Sequence, residues 1–296
     1  MLRTHWMYCY LTTYYHSVRR NNMNIKTAKV GFLGAGNMAR AIAGGLVGKE
    51  IVLSANIAAS DISSDALKAF EQATRGGMGV SSNVDLVKQS DIIVFAVKPY
   101  HAGDVCAAIK DAVSKDKLIV TICAGLTTES YEKKLGEGIR VVRVMPNTPA
   151  LVGLGSTAIA GGKYATPEDV KTVELMFKAV GVTISVTEDK LDLVTGFTGS
   201  GPAYFFYFAE AMIEAAVSMG LDMEQATTMA TQLMYGAGKL AMDSPLSLSQ
   251  LRRNVTTPNG TTEAGLKQFE EGDMKELVFN CIKAATDRST ELSKLN

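Results

Sequence analysis

Two glycines, Gly34 and Gly36, follow a short apolar run and precede a run with helical spacing. Because glycine has no Cβ, the chain can turn tightly there and a bound group can approach the backbone closely. The backbone N–H groups of Asn37 and Met38 would then face a phosphate at the start of the helix. Ala39 occupies the third position of the G-x-G-x-x-G/A pattern, where a small side chain lets the helix pack on its strand. This spacing predicts a dinucleotide-binding turn.

A second stretch, residues 254–263, combines turn-forming residues with hydroxyl groups. The run 258–260, Pro-Asn-Gly, favours a turn, and two threonines followed by Glu263 are typical of a helix N-terminus. Free backbone N–H groups and the hydroxyls of Thr261 and Thr262 would meet there, which suits a small anion such as a carboxylate. An ordinary threonine cap after a proline turn is the alternative interpretation.

The elements around the glycine turn alternate between apolar strand patterns and amphipathic helix patterns. The predicted strands are 30–33, 57–60, 91–97, 118–122, 140–144, 156–160 and 181–186, with helices at 37–47, 64–72 and 104–113. Strands rich in Val and Ile that alternate with helices predict βαβ units and a parallel sheet covered on both faces. Lys98 and Pro99 end one strand at the edge where ligands gather in such sheets.

The pattern becomes wholly helical in the last third of the chain. The predicted helices are 203–219, 223–242, 247–254, 262–271 and 274–295. The helix at 203–219 is apolar nearly all round and must be covered on every side. We therefore expect a subunit interface there, with a core helix of a monomer as the alternative. The fold class predicted is α/β, a Rossmann dinucleotide-binding domain at 27–186 followed by an all-helical domain at 187–296.

Composition excludes several classes of function. The 30 basic and 30 acidic residues balance, which gives no electrostatic case for nucleic acid, and no apolar run reaches the roughly 20 residues of a membrane span. The four cysteines lack zinc spacing, so we expect no metal site and a reduced compartment. Residues 1–26 do not match the rest of the chain and are expected to be disordered. They are either an upstream extension before Met23, in a cytoplasmic protein, or a mitochondrial presequence.

Taken together, five motifs make the chain resemble the pyrroline-5-carboxylate reductase family from about Val30 onward. They are GFLGAGNMARAI at 31–42, AVKP at 96–99, RVMPNTPALVG at 143–153, VTGFTGSGPAYFF at 194–206 and NVTTPNGTTEAGL at 254–266. The resemblance implies an oxidoreductase that reduces the ring imine of 1-pyrroline-5-carboxylate to L-proline with NADPH or NADH, in proline biosynthesis. It also implies a helical dimerisation domain, with homodimers that assemble into rings such as decamers.

The resemblance also implies two sets of site residues. The cofactor would be bound by Leu33, Gly34, Ala35, Gly36, Asn37, Met38, Asn83, Ala96, Val97, Lys98, Pro99 and Ala124. The substrate would be bound by Glu188, Asn254, Thr257, Gly260, Thr261 and Thr262.

Two residues depart from the family pattern. Asn259 replaces one glycine of a pair, and asparagine tolerates positive φ well enough to keep the turn. Asp61, at the end of the second strand, stands where relatives that favour NADPH have a neutral or basic residue. A carboxylate there can accept hydrogen bonds from the adenosine ribose, which makes NADH a plausible cofactor beside NADPH.

We expect Thr262 to be the catalytic side chain, with its hydroxyl on the ring nitrogen while the turn holds the substrate carboxylate. No histidine, cysteine or lysine in the motifs is an obvious general acid, and the imine can arrive already protonated. A 3-hydroxyacid dehydrogenase is one alternative, although its catalytic lysine has no counterpart in residues 199–206. A redox-sensing NAD(P)-binding regulator without turnover is the other.

Overall fold

The computed structural model describes residues 24–295 and forms two compact units. Unit 1 contains the described residues up to Gly199 together with those from Thr286 onward, and unit 2 is Ser200–Ala285. Unit 1 therefore ends later than the predicted division after residue 186, because Leu191 is buried in a cluster with Ala158 and Ala160 of the sheet.

Most of the predicted N-terminal extension, residues 1–23, lies outside the described residues. Its last three residues take part in a turn in which the N–H groups of Thr27 and Ala28 both donate to the Asn24 carbonyl at 3.0 Å. Ile25 packs against the main core, so the packed part of the chain includes residues before 27, the predicted start of the Rossmann domain.

Unit 1 is built on one eight-stranded sheet. Its strands are β1 (Val30–Leu33), β2 (Ile57–Ser60), β3 (Met78–Val80), β4 (Ile92–Phe95), β5 (Leu118–Thr121), β6 (Arg140–Met145), β7 (Gly155–Gly161) and β8 (Gly181–Ser185). Their order is β3-β2-β1-β4-β5-β6-β7-β8, with β7 antiparallel to β6 and every other pair parallel. The sheet is thus mixed at its far end rather than wholly parallel.

The helices of unit 1 cover both faces of this sheet. They are α1 (Asn37–Gly48), α2 (Ser64–Ala73), α3 (Asn83–Gln89), α4 (Ala102–Ile109), α5 (Thr128–Leu135), α6 (Pro167–Phe177) and α7 (Leu191–Val194). Alternate strand residues enter different cores: Phe32 and Val94 lie in one cluster, whereas Leu33 and Phe95 lie in the other. Because the central strands are buried on both faces, they read in sequence as continuous apolar runs.

The strand register brings the loops of the predicted cofactor site to one edge of the sheet. Leu33 at the end of β1 is level with Ser60 of β2 and with Phe95 of β4. The hydrogen bonds continue one step past the strands, since Gly34 N–H donates to the Ser60 carbonyl at 2.8 Å and Ala96 N–H to the Leu33 carbonyl at 2.8 Å. The chain order reverses between β1 and β4, which is where ligands bind in such sheets.

Gly34 allows the loops after β1 and β4 to lie against one another. Its φ is 101°, in the region that favours glycine, and a Cβ there would lie 2.8 Å from the Ala96 carbonyl oxygen. Gly36 is different, because its φ is −69° and an added Cβ would meet nothing within 4 Å. Only the first of the two glycines is required by the fold of unit 1.

Unit 2 is entirely helical, as the sequence predicts. Its helices are α8 (Gly201–Ser218), α9 (Met223–Asp243), α10 (Leu248–Asn254), α11 (Thr261–Glu271) and the first part of α12 (Met274–Leu295). The aromatic side chains of α8 are exposed in the single chain, by 66% at Phe205, 56% at Phe206 and 74% at Tyr207. These aromatic side chains are not buried in the core of a single chain, which excludes the alternative of a monomer core helix. We therefore expect another protein surface to cover them.

We expect Gly34→Ala to destabilise the protein by about 1–3 kcal/mol, because alanine would adopt a strained φ and meet backbone atoms. Gly36→Ala is the matched control and should change the unfolding free energy by less than about 1 kcal/mol, since its backbone conformation suits alanine. Thermal or urea unfolding of both variants without ligands measures the difference. Equal losses would show that the close approach at Gly34 does not constrain the fold.

Candidate functional site

The start of α1 is open to an anion. Gly36 is the N-cap, no side chain caps the helix, and its first turn holds no acidic residue. The Arg40 N–H donates to the Gly36 carbonyl at 3.0 Å, so the N–H groups of residues 37–39 are those that a helix leaves without an internal partner. This helix start offers free N–H donors, the positive end of the helix dipole and no Cβ at Gly36. Together these features suit the binding of a pyrophosphate.

Asp61 fixes this turn from the neighbouring strand. Its Oδ2 accepts a hydrogen bond from the Ala35 N–H at 2.8 Å, and its Oδ1 accepts one from the Ser63 N–H at 2.9 Å. Each carboxylate oxygen has a second acceptor site, so the side chain can still accept from a ribose hydroxyl. The structure therefore gives Asp61 a role in holding the glycine turn that the sequence does not indicate.

Asn83 lies where β2 and α3 meet. Its Oδ1 accepts a hydrogen bond at 2.5 Å from the hydroxyl of Ser60, which is 3% exposed at the end of β2. Ser63 and Ser82 cap the helices that follow β2 and β3. These hydroxyls and the Asn83 amide are the polar groups on the β2 and β3 side of the glycine turn, opposite to β4.

Residues 96–99 and Ala124 follow β4 and β5 at the same edge of the sheet. Ala96 and Val97 are half-buried and Lys98 is exposed, before a short 3₁₀ helix at Pro99–His101. The Ile122 N–H donates to the Phe95 carbonyl at 3.1 Å, which keeps the two loops in register. The structure thus brings all of the predicted cofactor residues from Leu33 to Ala124 to one edge.

Glu188 is engaged by its own chain rather than left open. Its two oxygens accept from Thr128, at 2.7 Å from the backbone N–H and 2.6 Å from the hydroxyl. Its Oε1 also lies 3.5 Å from the guanidinium of Arg143. The carboxylate holds the start of α5, so any contact with substrate would have to use its remaining acceptor sites.

Arg143 is a buried cation held by two carboxylates. Its side chain is 5% exposed and lies 3.4 Å from Asp192 as well as near Glu188. Asp192 in turn accepts hydrogen bonds from Ser289 at 2.8 Å and from Ser293 at 3.4 Å. This cluster attaches the end of α12 to the sheet, and no spacing in the sequence predicts it.

The predicted anion-binding turn forms in unit 2. Asn259 has a φ of 57°, so the asparagine adopts the positive φ expected of it and the turn forms. The Gly260 N–H donates to the Thr257 carbonyl at 3.0 Å, and a Cβ on Gly260 would lie 2.3 Å from the Thr257 hydroxyl. Glu263 reaches back to accept from the Asn259 N–H at 2.7 Å.

Gly260, rather than a threonine, caps α11, and no side chain bonds to the N-terminal N–H groups. The interpretation as an ordinary threonine cap is therefore wrong. Within residues 24–295 the hydroxyls of Thr261 and Thr262 have no hydrogen-bond partner, and Thr262 is half-buried whereas Thr261 is exposed. Asn254, at the end of α10, accepts from Gln250 at 2.9 Å and keeps its own amide donors.

Comparison with known proteins shows which protein families the chain resembles. The family model for pyrroline-5-carboxylate reductase dimerisation matches residues 188–292, and the model described as NADP oxidoreductase coenzyme F420-dependent matches residues 29–125. Pyrroline-5-carboxylate reductase of Methanosarcina acetivorans is 41% identical over 91% of this chain and 100% of its own length. That of Pisum sativum is 37% identical over 89% and 96% of the two chains.

Solved structures give the same result. A pyrroline-5-carboxylate reductase from Coxiella burnetii superposes with a TM-score of 0.85 at 36% identity, covering 90% of this chain and 99% of that one. Plasmodium falciparum pyrroline carboxylate reductase with NADP bound superposes with a TM-score of 0.79 at 33% identity, covering 91% and 99%.

Proposed function

The chain belongs to the pyrroline-5-carboxylate reductase family, and we infer that it reduces 1-pyrroline-5-carboxylate to L-proline in proline biosynthesis. Its fold is a Rossmann-type NAD(P)-binding domain followed by a helical dimerisation domain. NAD(P)H, when bound, supplies the hydride for this reaction. Relatives at 34–41% identity over about nine-tenths of the chain favour this activity over a 3-hydroxyacid dehydrogenase or a regulator without turnover.

The observation that carries the cofactor assignment is the uncapped start of α1. Residues 37–39 would donate to the pyrophosphate, while Gly34 and Gly36 let it approach the backbone. Asn83 and Asp61 would bind the adenosine half, and residues 96–99 with Ala124 would line the other half. Leu33 and Ala35 shape the turn from within, since both are fully buried.

The substrate assignment rests on the turn before α11. The N–H groups of Thr261 and Thr262 lie at a helix start without a capping side chain, where a carboxylate is stabilised by the helix dipole. Thr257 and Gly260 shape the turn, and Asn254 offers an amide donor beside it. Glu188 would act through the α5 start that it holds.

Thr262 is the side chain we assign to the ring nitrogen. Once the turn holds the carboxylate through backbone donors, a hydroxyl one residue inside the helix lies near the other end of a small ring. The nitrogen changes its charge and hydrogen-bonding demand as the imine becomes an amine. The contact can therefore be stronger in the transition state than with bound substrate, which is what makes a contact catalytic.

We expect Thr262→Ala to lower kcat/KM by about 10- to 150-fold, the loss of one hydrogen bond to a polar or charged group at roughly 1.5–3 kcal/mol. Thr262→Ser keeps the hydroxyl and should keep most of the rate. Single-turnover hydride transfer and melting temperature, measured on the same variants, separate chemistry from folding. A less stable Thr262→Ala protein with an unchanged chemical rate would refute the catalytic role.

Asp61 would weaken discrimination in favour of NADPH. Its carboxylate is held at the end of β2 by two backbone N–H groups, so it cannot easily turn away from a bound 2′-phosphate of like charge. Ser63 lies beside it, and because its hydroxyl oxygen only accepts, from the Ala66 N–H, its proton can still be donated to phosphate. We therefore propose that NADH is used at a rate comparable with NADPH.

Asp61→Ser should shift the ratio of kcat/KM values toward NADPH by about 5-fold, the effect of ~1 kcal/mol for one partly exposed charge. The ratio is the informative quantity, because damage to the glycine turn lowers activity with both cofactors together. Asp61→Asn, which keeps one carbonyl acceptor without the charge, is the control for lost charge alone. Unchanged ratios in both variants would show that Asp61 does not read the ribose.

The dimerisation domain indicates a homodimer, and we propose that dimers assemble further into a ring such as a decamer. The exposed apolar surface of α8 and α9, including Met229 at 62% and Leu233 at 55%, supports cover by a second copy. None of the helices in the described range combines the length and apolarity needed to cross a membrane.

Light scattering at micromolar concentration should give a mass that is an even multiple of the 31.6 kDa chain. Phe205→Glu places a charge on the exposed apolar face of α8 and should lower that mass, whereas the same change at an exposed polar site, Gln72→Glu, should not. A stable, active wild-type monomer would contradict the dimer.

A further inference from the structure

Cys123 lies directly beneath the loop that we assign to the cofactor. It follows β5 and is 3% exposed. Its Sγ is 3.3 Å from the Val97 carbonyl oxygen and 3.7 Å from the Phe95 carbonyl oxygen, both on the chain leaving β4. The thiol therefore faces backbone acceptors of the loop rather than only apolar neighbours.

The thiol is held in this position by a buried polar network. The Cys123 N–H donates to the Thr121 hydroxyl at 3.2 Å, and that hydroxyl lies 2.8 Å from the hydroxyl of Tyr131 on α5. The Tyr131 ring packs edge-on against Phe95 with 4.9 Å between centroids. β5, α5 and β4 are thus joined through the buried side chains of Thr121, Tyr131 and Phe95.

The Cys123 thiol is in the protonation state that a hydrogen-bond donor needs. Burial raises the pKa of the Cys123 thiol, so it carries its proton at neutral pH and can donate to a carbonyl. A thiol is a weak donor, but the Val97 carbonyl is part-buried and has no other hydrogen-bond partner within residues 24–295, whereas the Phe95 carbonyl also accepts from the Ile122 N–H. Removal of the thiol therefore affects Val97 most.

The loop beneath which Cys123 lies also touches the glycine turn. A Cβ on Gly34 would lie 3.1 Å from the Val97 backbone nitrogen. A shift of Val97 therefore moves the surface against which the glycine turn rests. The Cys123 thiol contacts the same residue through its carbonyl oxygen.

We propose that Cys123 is a positioning residue for NAD(P)H, whose thiol fixes the backbone of Val97 and through it the edge that receives the cofactor. This inference rests on the proposed assignment of residues 96–99 to the cofactor. It gives Cys123 no contact with cofactor or substrate and no part in the chemistry. Its effect is on cofactor binding. Without the thiol, the loop at 96–99 would be more mobile and would have to be ordered when NAD(P)H binds, which lowers the affinity for the cofactor.

The test compares Cys123→Ala and Cys123→Ser with Cys106→Ala in the full-length protein. Cys106 is a matched control because it is 1% exposed in the same core cluster, and burial raises the pKa of its thiol to about 12. Within residues 24–295 the Cys106 thiol donates to no backbone carbonyl. Three quantities are measured: hydrogen exchange of residues 93–101 without ligand, the Kd for NADPH and NADH, and the melting temperature.

We expect Cys123→Ala to speed exchange of residues 93–101 and to raise both Kd values by about 3- to 10-fold, the effect of losing one buried hydrogen bond. Cys123→Ser restores a donor and should stay within about 2-fold of the wild type. Cys106→Ala should lower the melting temperature through its cavity while leaving exchange and Kd unchanged.

Two outcomes would overturn the proposal at different points. Unchanged exchange and unchanged Kd in Cys123→Ala, or equal effects in both alanine variants, would show that the thiol does not fix the loop. Faster exchange with unchanged Kd would show that the thiol does hold the loop but that residues 96–99 do not set cofactor affinity. The second result would refute the cofactor assignment of that loop, on which the inference rests.

Discussion

The close approach of the loops after β1 and β4 is the constraint on which the cofactor edge depends. At Gly34 the two backbones leave no room for a Cβ, since the Ala96 carbonyl oxygen would lie 2.8 Å away. Once that contact is fixed, the start of α1 is placed level with β4, and Asp61 holds it from the side of β2. The lack of a Cβ at Gly34 thus determines where the start of α1, the proposed phosphate site, is placed.

The acidic residues of the candidate sites share one use. Asp61, Glu188 and Glu263 each accept a hydrogen bond from a backbone N–H, of Ala35, Thr128 and Asn259 respectively. Asp61 and Glu263 therefore stabilise turns and Glu188 the start of α5, while the N–H groups at the starts of α1 and α11 are left without capping side chains. Glu263 lies in the first turn of α11, yet its carboxylate accepts from Asn259 in the preceding turn and not from the helix N–H groups, so both helix starts stay available to anionic ligands.

The sequence predicted the central architecture because its signals are local. Strands β1 and β2 were predicted with their observed bounds, since each is a short run of mostly apolar residues, VGFL and IAAS, followed directly by a glycine or an aspartate. It missed β3, which is short and partly exposed, the short helix α7, and the helices α3, α5 and α6. The last of these, α6, has a signal that could have been used, because Thr166-Pro167 followed by Asp169 is a capping box with proline at the first turn.

The site was harder to predict where it depends on distant pairs. Glycine and threonine patterns located both turns that we propose to bind anions, and the positive φ of Asn259 shows that the second turn forms with asparagine at that position. The contacts of Asp61 with Ala35, of Glu188 with Thr128 and of Cys123 with Val97 join residues 26, 60 and 26 positions apart. No spacing rule connects them, and the register of the sheet had to be known first.

The order in which unit 1 is completed has a consequence for its synthesis. Unit 2 interrupts unit 1 in sequence, and the serines that satisfy Asp192 belong to residues 286–296. When the strands of the sheet leave the ribosome, Asp192 and Arg143 still lack these partners, and the 86 residues of Ser200–Ala285 must emerge before they arrive. The Rossmann unit can therefore be completed only after unit 2 has been synthesised, and must persist in the meantime with part of its charge cluster unsatisfied.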